Sequence, residues 1–322
     1  MKLLLTGGAG YIGSVVASQL IDAGHHVVVL DDLSTGHRDA VPDAARFVRA
    51  DVADTGDVLD ASFDAVLHFA AKSLVAESVA DPGLYWWNNV VGSLRLLDAM
   101  AKAGVARLVF SSTAATYGEP EVTPLTETAP AVPINPYGHS KLAVDHMLAG
   151  QAQARGLAAV SLRYFNVGGA VGPYGERHSP ETHLIPNVLA VPAGRRAAVD
   201  VFGTDFPTRD GTAVRDYLHV EDLGRAHLLA LEATGHSTGH RIYNLGTGTG
   251  YTVREVIDAV RRVTGHDVPA HDRERRAGDP PALVASAERI ATELGWRAEH
   301  DLDRIVGDAW RFVNRADSGD ET

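Results

Sequence analysis

The chain has 322 residues, more than one core usually fills, so a large domain with a smaller appended lobe is expected. It contains no cysteine and carries 41 acidic against 29 basic side chains, a formal net charge of −12. This excludes disulfides, zinc–thiolate sites and thiol nucleophiles, and it argues against a general nucleic-acid binder, which must neutralise phosphates.

No apolar run approaches the ~20 residues that a membrane span needs. The opening MKLLLTGGAGYIG breaks from a short apolar run into glycines and lacks the apolar core and cleavage site of a signal peptide. It reads as a buried first strand in a cytoplasmic protein. Further strands are expected at His26–Asp31, Arg46–Val48, Ala65–His68, Arg107–Ser111 and Ala159–Arg163, after a first at Lys2–Leu5. Helical stretches lie between them near Tyr11–Ala23, Leu84–Lys102 and Tyr137–Ala154. Runs such as Val27-Val28-Val29-Leu30 are near-continuously apolar, as strands buried on both faces must be. The alternation predicts an α/β fold, a doubly wound parallel sheet with helices on both faces.

After residue 170 the alternation loosens. Gly168–Pro186 reads as a long loop rich in Gly, Pro and His, and long ordered loops are more often functional than not. Asp210–His227 holds a strand and then a helix, for which Asp222 suits an N-cap. Ile242–Leu245 reads as another short strand, and Thr252 and Glu255 have capping-box spacing. The expected division is a dinucleotide-binding domain at 1–170 and a smaller mixed α/β substrate lobe at 171–315. Some elements of the lobe return to the first domain, and a frayed acidic tail occupies 316–322.

Gly7-Gly8-Ala9-Gly10-Tyr11-Ile12-Gly13 fits G-x-x-G-x-x-G directly after a strand and at the start of a helix. The first glycine permits the tight turn, the second lets backbone approach a pyrophosphate, and the third lets helix pack on sheet. The helix N-terminus then offers free N–H groups and partial positive charge to a phosphate. Asp31 and Asp32 end the second strand, where an acid accepts hydrogen bonds from ribose hydroxyls and repels a 2′-phosphate. NAD is therefore favoured over NADP in a Rossmann-type domain. Asp51-Val52, after the third strand, would border adenine.

Tyr137 and Lys141 stand four apart on one helix face. Tyrosine, with an unperturbed pKa of about 10, is a poor base at neutral pH. A neighbouring ammonium and a positive nicotinamide stabilise its phenolate, which then takes a proton from a substrate hydroxyl. The pair follows a strand ending in Ser111-Ser112-Thr113, where a hydroxyl can donate to the reacting oxygen.

Together TGGAGYIG, HFAA, SST-x3-YG and PYGHSK resemble the extended short-chain dehydrogenases/reductases, a family in which Thr113, Tyr137 and Lys141 would be the catalytic triad. Related sugar-nucleotide 4,6-dehydratases follow the Thr with two acids; here Ala114 and Ala115 stand there, which leaves reversible hydride transfer as the simplest chemistry. Arg163–Gly169, Glu181–Pro186, Gly203–Thr212 and Val214–Val220 are similar to the UDP-glucose (UDP-galactose) 4-epimerases, and this likeness runs to about residue 312.

The resemblance implies NAD contacts from Gly7, Gly10, Tyr11, Ile12, Gly13, Asp31, Asp32, Leu33, Ser34, Gly36, Asp51, Val52, Phe69, Ala70, Ala71, Lys72, Asn88, Ser111, Tyr137, Lys141 and Tyr164. In some relatives the lysine of the Lys72 turn falls one position later, where Ser73 stands. For a UDP-hexose it implies Ser112, Thr113, Tyr137, Asn166, His183, Leu184, Phe202, Arg215, Arg276 and Asp279. The arginines suit a diphosphate, which a forked guanidinium grips better than an ammonium does. Asp216 and His219 read as scaffold. Leu283 stands where relatives carry either an aromatic that excludes N-acetylated sugars or a small residue that admits them.

The expected reaction is oxidation of a UDP-hexose at C4, rotation of the keto sugar and return of hydride to the opposite face, with NAD regenerated. A 4-epimerase of another nucleotide sugar and, further off, a net dehydrogenase or a non-catalytic NAD sensor stay open; the intact Thr, Tyr and Lys set argues against a sensor. By resemblance, a homodimer pairs through the helices near Leu84–Lys102 and Tyr137–Ala154. No metal is expected.

Overall fold

The structure is a computed structural model that describes residues 1–276 and 279–318, with side chains as far as Arg315. The first part of the chain runs β1 (Lys2–Thr6), α1 (Tyr11–Asp22), β2 (His26–Asp31), β3 (Arg46–Arg49), β4 (Ala65–His68), α2 (Val75–Ala80), α3 (Pro82–Tyr85), a π-helical turn at Trp86–Val91, α4 (Gly92–Ala103), β5 (Arg107–Thr113), α5 (Pro136–Arg155) and β6 (Ala158–Tyr164). The rest adds β7 (Asn166–Gly168), β8 (Ala170–Val171), β9 (Tyr174–Gly175), α6 (Leu184–Leu189), β10 (Val199–Phe202), β11 (Val214–Arg215), β12 (Tyr217–His219), α7 (Val220–Ala233), β13 (Gly239–Leu245), β14 (Tyr251–Thr252), α8 (Val253–Thr264), β15 (Ala270–Arg273), β16 (Ala282–Leu283), α9 (Glu288–Leu294) and α10 (Leu302–Ser318).

Among the described residues seven strands form one parallel sheet in the order β13-β6-β5-β4-β1-β2-β3. The chain winds outward from β1 in both directions, so the β1/β4 boundary is a topological switch point, where a crevice opens at the carboxyl ends of the strands. Alternate strand residues feed opposite cores. Leu3, Leu5, Val27 and Val29 pack with α1 and α7, whereas Leu4, Val28, Leu30 and Phe110 pack with α4 and α5. Each such fully buried side chain stabilises the sheet by about 1.5–3 kcal/mol. A third core, with Val201, Val256, Val260 and Ile305, holds the smaller lobe together.

The predicted strands of the first part are present, with shifts of one or two residues at their ends. Four expectations need correction. The stretch Leu84–Lys102 is not one helix: α3, the π turn and α4 succeed one another, because Trp86–Val91 closes its hydrogen bonds one residue wider. The seventh strand of the sheet is β13, longer than expected and contributed from beyond residue 170. His219, not Asp222, caps α7; its Nδ1 accepts the Glu221 N–H at 3.0 Å, while Asp222 is buried and accepts the N–H groups of Glu299 and His300. The stretch from Gly168 to Pro186 is not wholly loop, since β8 and β9 form a small antiparallel hairpin and α6 begins at Leu184.

Thr252 forms the expected capping box with Glu255. The acidic tail is helical as far as Ser318, and 319–322 lie outside the described residues. No helix among the described residues is long and apolar enough to cross a membrane.

Candidate active site

A cavity of about 300 Å³ runs along the carboxyl ends of the sheet strands. One end is lined by Leu30 and Asp31, the last residues of β2, by Asp32 after it, and by Ala50, Asp51 and Val52 after β3. The middle is the turn after β1, with Gly7, Gly10, Tyr11, Ile12 and Gly13, faced by Phe69, Ala70 and Ala71 after β4. At the other end stand Ser111, Thr113, Tyr137, Lys141, Tyr164 and Asn166.

The glycine turn is built as its spacing requires. Gly7 takes φ +74°, and a Cβ on it would lie 2.4 Å from the Ala70 nitrogen; a Cβ on Gly13 would lie 2.3 Å from the Gly7 carbonyl oxygen. Gly10 is the N-cap of α1 and no side chain caps that helix, so its first N–H groups keep their bonding capacity for a ligand. Asp31 is buried and shapes the turn: its Oδ2 accepts the Ala9 N–H at 3.0 Å and its Oδ1 that of Leu33 at 2.9 Å. Burial raises its carboxyl pKa even against these hydrogen bonds. Two lone-pair sites remain on a carboxylate so bound.

The Tyr137 and Lys141 side chains are presented by α5. Asn135 caps that helix by accepting the Gly138 N–H at 2.9 Å, Pro136 occupies its first position, and Gly156 closes it in the left-handed conformation. Lys141 is buried, and its Nζ donates to the Ser111 carbonyl oxygen at 2.7 Å. Burial pulls its pKa down to about 7, against the opposing charge of Asp145 one turn later. Burial likewise raises the Tyr137 phenol, while a hydrogen bond with the Thr113 hydroxyl pulls it the other way. Thr113 Oγ1 also accepts the Ala115 N–H at 3.1 Å, which fixes its rotamer. The arrangement gathers one hydroxyl, one phenol and one amine at one end of the cavity.

A buried polar frame supports this end. His68 joins Thr6 (2.6 Å) to Ser93 (2.8 Å), and burial with Lys141 nearby lowers its pKa to about 3, so it is neutral. Asn89, in the π turn, donates to the Ser140 hydroxyl at 2.9 Å and to the Lys72 carbonyl at 3.0 Å. Asp145 pairs with Arg163 at 2.7 Å beneath the lysine. The Ser111 and Tyr164 hydroxyls bond each other.

Most of the sequence-derived cofactor residues line this cavity, and so do Asn166 and His183. Lys72 and Ser34 face each other there, with Lys72 Nζ 3.4 Å from the serine hydroxyl. Leu33, Ser112, Leu184, Phe202, Arg215, Arg276 and Asp279 are not among the lining residues. Ser112 is buried and its hydroxyl turns to Asp145, because strand neighbours point to opposite faces and Ser111 and Thr113 take the cavity side.

Arg276, Asp279 and their neighbour Arg275 line a second hollow of about 390 Å³ with Glu119 and Pro120. There Arg276 stacks on the Phe202 ring at 3.9 Å and Arg215 pairs with Asp279. Leu283 is paired with Arg215 across β16 and β11. Asp216 accepts four hydrogen bonds, from Thr247 (two), Gly248 and Ala285, as a scaffold residue does.

Thr35, Phe165, Glu176 and His178 also line the main cavity, although the sequence did not point to them. The signal for the last two was the His-rich composition of their loop. His183 Nδ1 lies 2.8 Å from Glu181 and 3.3 Å from Glu176; burial disfavours its charged form, but these two carboxylates outweigh it and raise its pKa.

Residues 3–246 match the profile of the NAD dependent epimerase/dehydratase family. The chain belongs to that family. It is 55% identical over 317 residues to a UDP-glucose 4-epimerase of Corynebacterium glutamicum, covering 98% of this chain and 96% of that protein. It is 56% identical over 316 residues to that of Streptomyces lividans, covering 97% and 95%. The crystal structure of UDP-glucose-4-epimerase from Stenotrophomonas maltophila with bound NAD and formylated UDP-arabinopyranose superposes with a TM-score of 0.96 at 41% identity, covering 99% of each chain.

Proposed function

We propose that this chain is an NAD-dependent 4-epimerase that interconverts UDP-glucose and UDP-galactose. One observation carries the reading. The cavity joins a dinucleotide-type glycine turn to Thr113, Tyr137 and Lys141, in a chain that matches UDP-glucose 4-epimerases over nearly its whole length.

The residues present fit NAD. The uncapped first turn of α1 at Gly10 suits its diphosphate, Asp31 and Asp32 its adenosine ribose, and Asp51 and Val52 its adenine. When bound, NAD supplies a group that takes up and gives back the C4 hydride, and its positive charge favours a phenolate.

The chain's own part is to move the proton. Tyr137 Oη takes the proton of the sugar's 4-hydroxyl while the Thr113 hydroxyl steadies the reacting oxygen. Burial works against the phenolate, so Lys141, fixed by the Ser111 carbonyl, is the cation that stabilises it; each charge favours the other. After the sugar has turned about its bond to the diphosphate, the same Oη returns the proton at the other face. The sugar must turn while the nucleotide stays held, and Arg215 and Arg276, with Phe202 and Asp279, form the nucleotide grip in this reading.

In this reading residues 1–170, with the returning α7 and β13, bind the dinucleotide, and 171–315 hold the nucleotide sugar. For a homodimer through the α3–α4 and α5 faces, support on the first comes from the exposed side chains of Trp86 and Trp87, between α3 and α4, and of Leu94 in α4, of which Trp87 is 71% exposed. Trp86 and Trp87 are neighbours in the chain, and exposed apolar patches mark interaction surfaces. Incubation with a panel of UDP-sugars tests the activity: UDP-galactose should yield UDP-glucose, and no turnover of it would reject the reading.

A further inference from the structure

The segment Glu176–His183 lines the main cavity with Glu176, His178 and His183, and the segment after β2 lines it with Asp32, Ser34 and Gly36. Its base is fixed. Tyr11, in the glycine turn, donates its hydroxyl to the Gly169 carbonyl at 2.7 Å, and a Cβ on Gly175 would fall 2.5 Å from the Phe312 ring, so the β8–β9 hairpin lies directly on α10. Its span is tied to the chain just beyond Gly36. Arg177 Nη1 and Nη2 donate to the two carboxylate oxygens of Asp39 at 2.8 and 2.9 Å, a forked pair between residues 138 apart in sequence. His37 Nε2 lies 3.3 Å from the Arg177 carbonyl oxygen beside it.

We propose that the Arg177–Asp39 pair is a clasp that retains the dinucleotide by holding this strap across the cavity. The proposal rests on the reading of the cavity as the NAD site. Neither residue lines the cavity, and neither is part of the chemistry proposed above; they join the two segments that do line it. The geometry is bidentate, the arrangement in which a guanidinium grips a carboxylate with most directional preference. Consistently, the Arg177 guanidinium holds the Asp39 carboxyl below its ordinary range. A cycle that regenerates its cofactor has no need to release it, so a closed strap costs such an enzyme nothing in turnover.

Because the pair is solvent-exposed (Asp39 72%, Arg177 32%), its effect should be modest and screened by salt. The test is the rate of NAD release from the loaded full-length protein, measured by dilution and trapping at low and high salt. Asp39→Asn and Arg177→Gln should each speed release by about threefold to fivefold at low salt. They should approach the wild-type rate near 1 M salt, with melting temperatures unchanged. Combining Asp39→Arg with Arg177→Asp should restore slow release. Release at the wild-type rate in both single variants at low salt, or no restoration by the exchanged pair, would overturn the clasp while leaving the NAD site intact. A wild-type protein that holds no NAD would overturn both.

Discussion

Lys141 Nζ donates to the carbonyl oxygen of Ser111 at 2.7 Å, so the cation of α5 is fastened to the strand that presents Thr113. The two sources of chemistry, helix and strand, therefore cannot drift apart without breaking a buried, charge-assisted bond. Lys141→Met removes both the fastening and the charge. It should lower kcat by about 10²- to 10⁴-fold at neutral pH, the range by which a positioned acid–base group contributes. Steady-state kinetics with UDP-galactose check this. A loss confined to KM would mean that Lys141 only binds.

Tyr137→Phe should cost at least about 10³ in kcat, since it removes the atom that carries the proton. It should not cost the fold, because Thr113 keeps its bond to the Ala115 N–H and the ring still packs edge-on against Tyr85, 6.3 Å between centroids. Thermal melting of the variant should stay within about 1 kcal/mol of wild type.

Asp31 serves the turn as well as the cofactor. Asp31→Ala leaves the Ala9 and Leu33 N–H groups without their partner and removes the proposed ribose contact. NAD affinity should fall at least about tenfold, with a stability loss of about 1–3 kcal/mol. Calorimetric titration with NAD and urea unfolding read the two effects separately. Affinity unchanged beside lost stability would reduce Asp31 to a turn residue.

Acid should unfold the protein by a route that the buried histidines set. Burial lowers His68 to about 3 and His227 to about 4. In the unfolded chain both titrate near 6.5, so between about 6.5 and 4 the unfolded state binds more protons and stability falls as pH falls. From pH 7.5 to 5.5 the two together should remove about 2–3 kcal/mol. Urea midpoints across that range check it; a flat profile would mean that neither ring is buried neutral.

The strands β1 to β6 were legible because strands covered on both faces must be near-continuous apolar runs, and Val27–Leu30 is one. The glycine turn and the Tyr137/Lys141 spacing were legible because their geometry is local. What escaped was set by distant partners. β13, Gly239–Leu245, joins the sheet beside β6 although its first half is polar, since it lies at the edge. In the π turn Trp86–Val91, Asn89 bonds Lys72 and Ser140, 17 and 51 residues away. Asp222 looked like a cap, but residues near 300 claim its carboxylate. Ser112 could have been set aside by strand parity alone, since its neighbours Ser111 and Thr113 share the opposite face.

In the proposed cycle C4 gives up its hydride and receives the same hydride back. UDP-galactose carrying deuterium at C4, incubated with the wild-type enzyme in ordinary water and followed by NMR, tests it directly. UDP-glucose that keeps the label at C4, formed without net consumption of NAD, is the expected result. Loss of the label to solvent, or NADH accumulating in step with product, would contradict it.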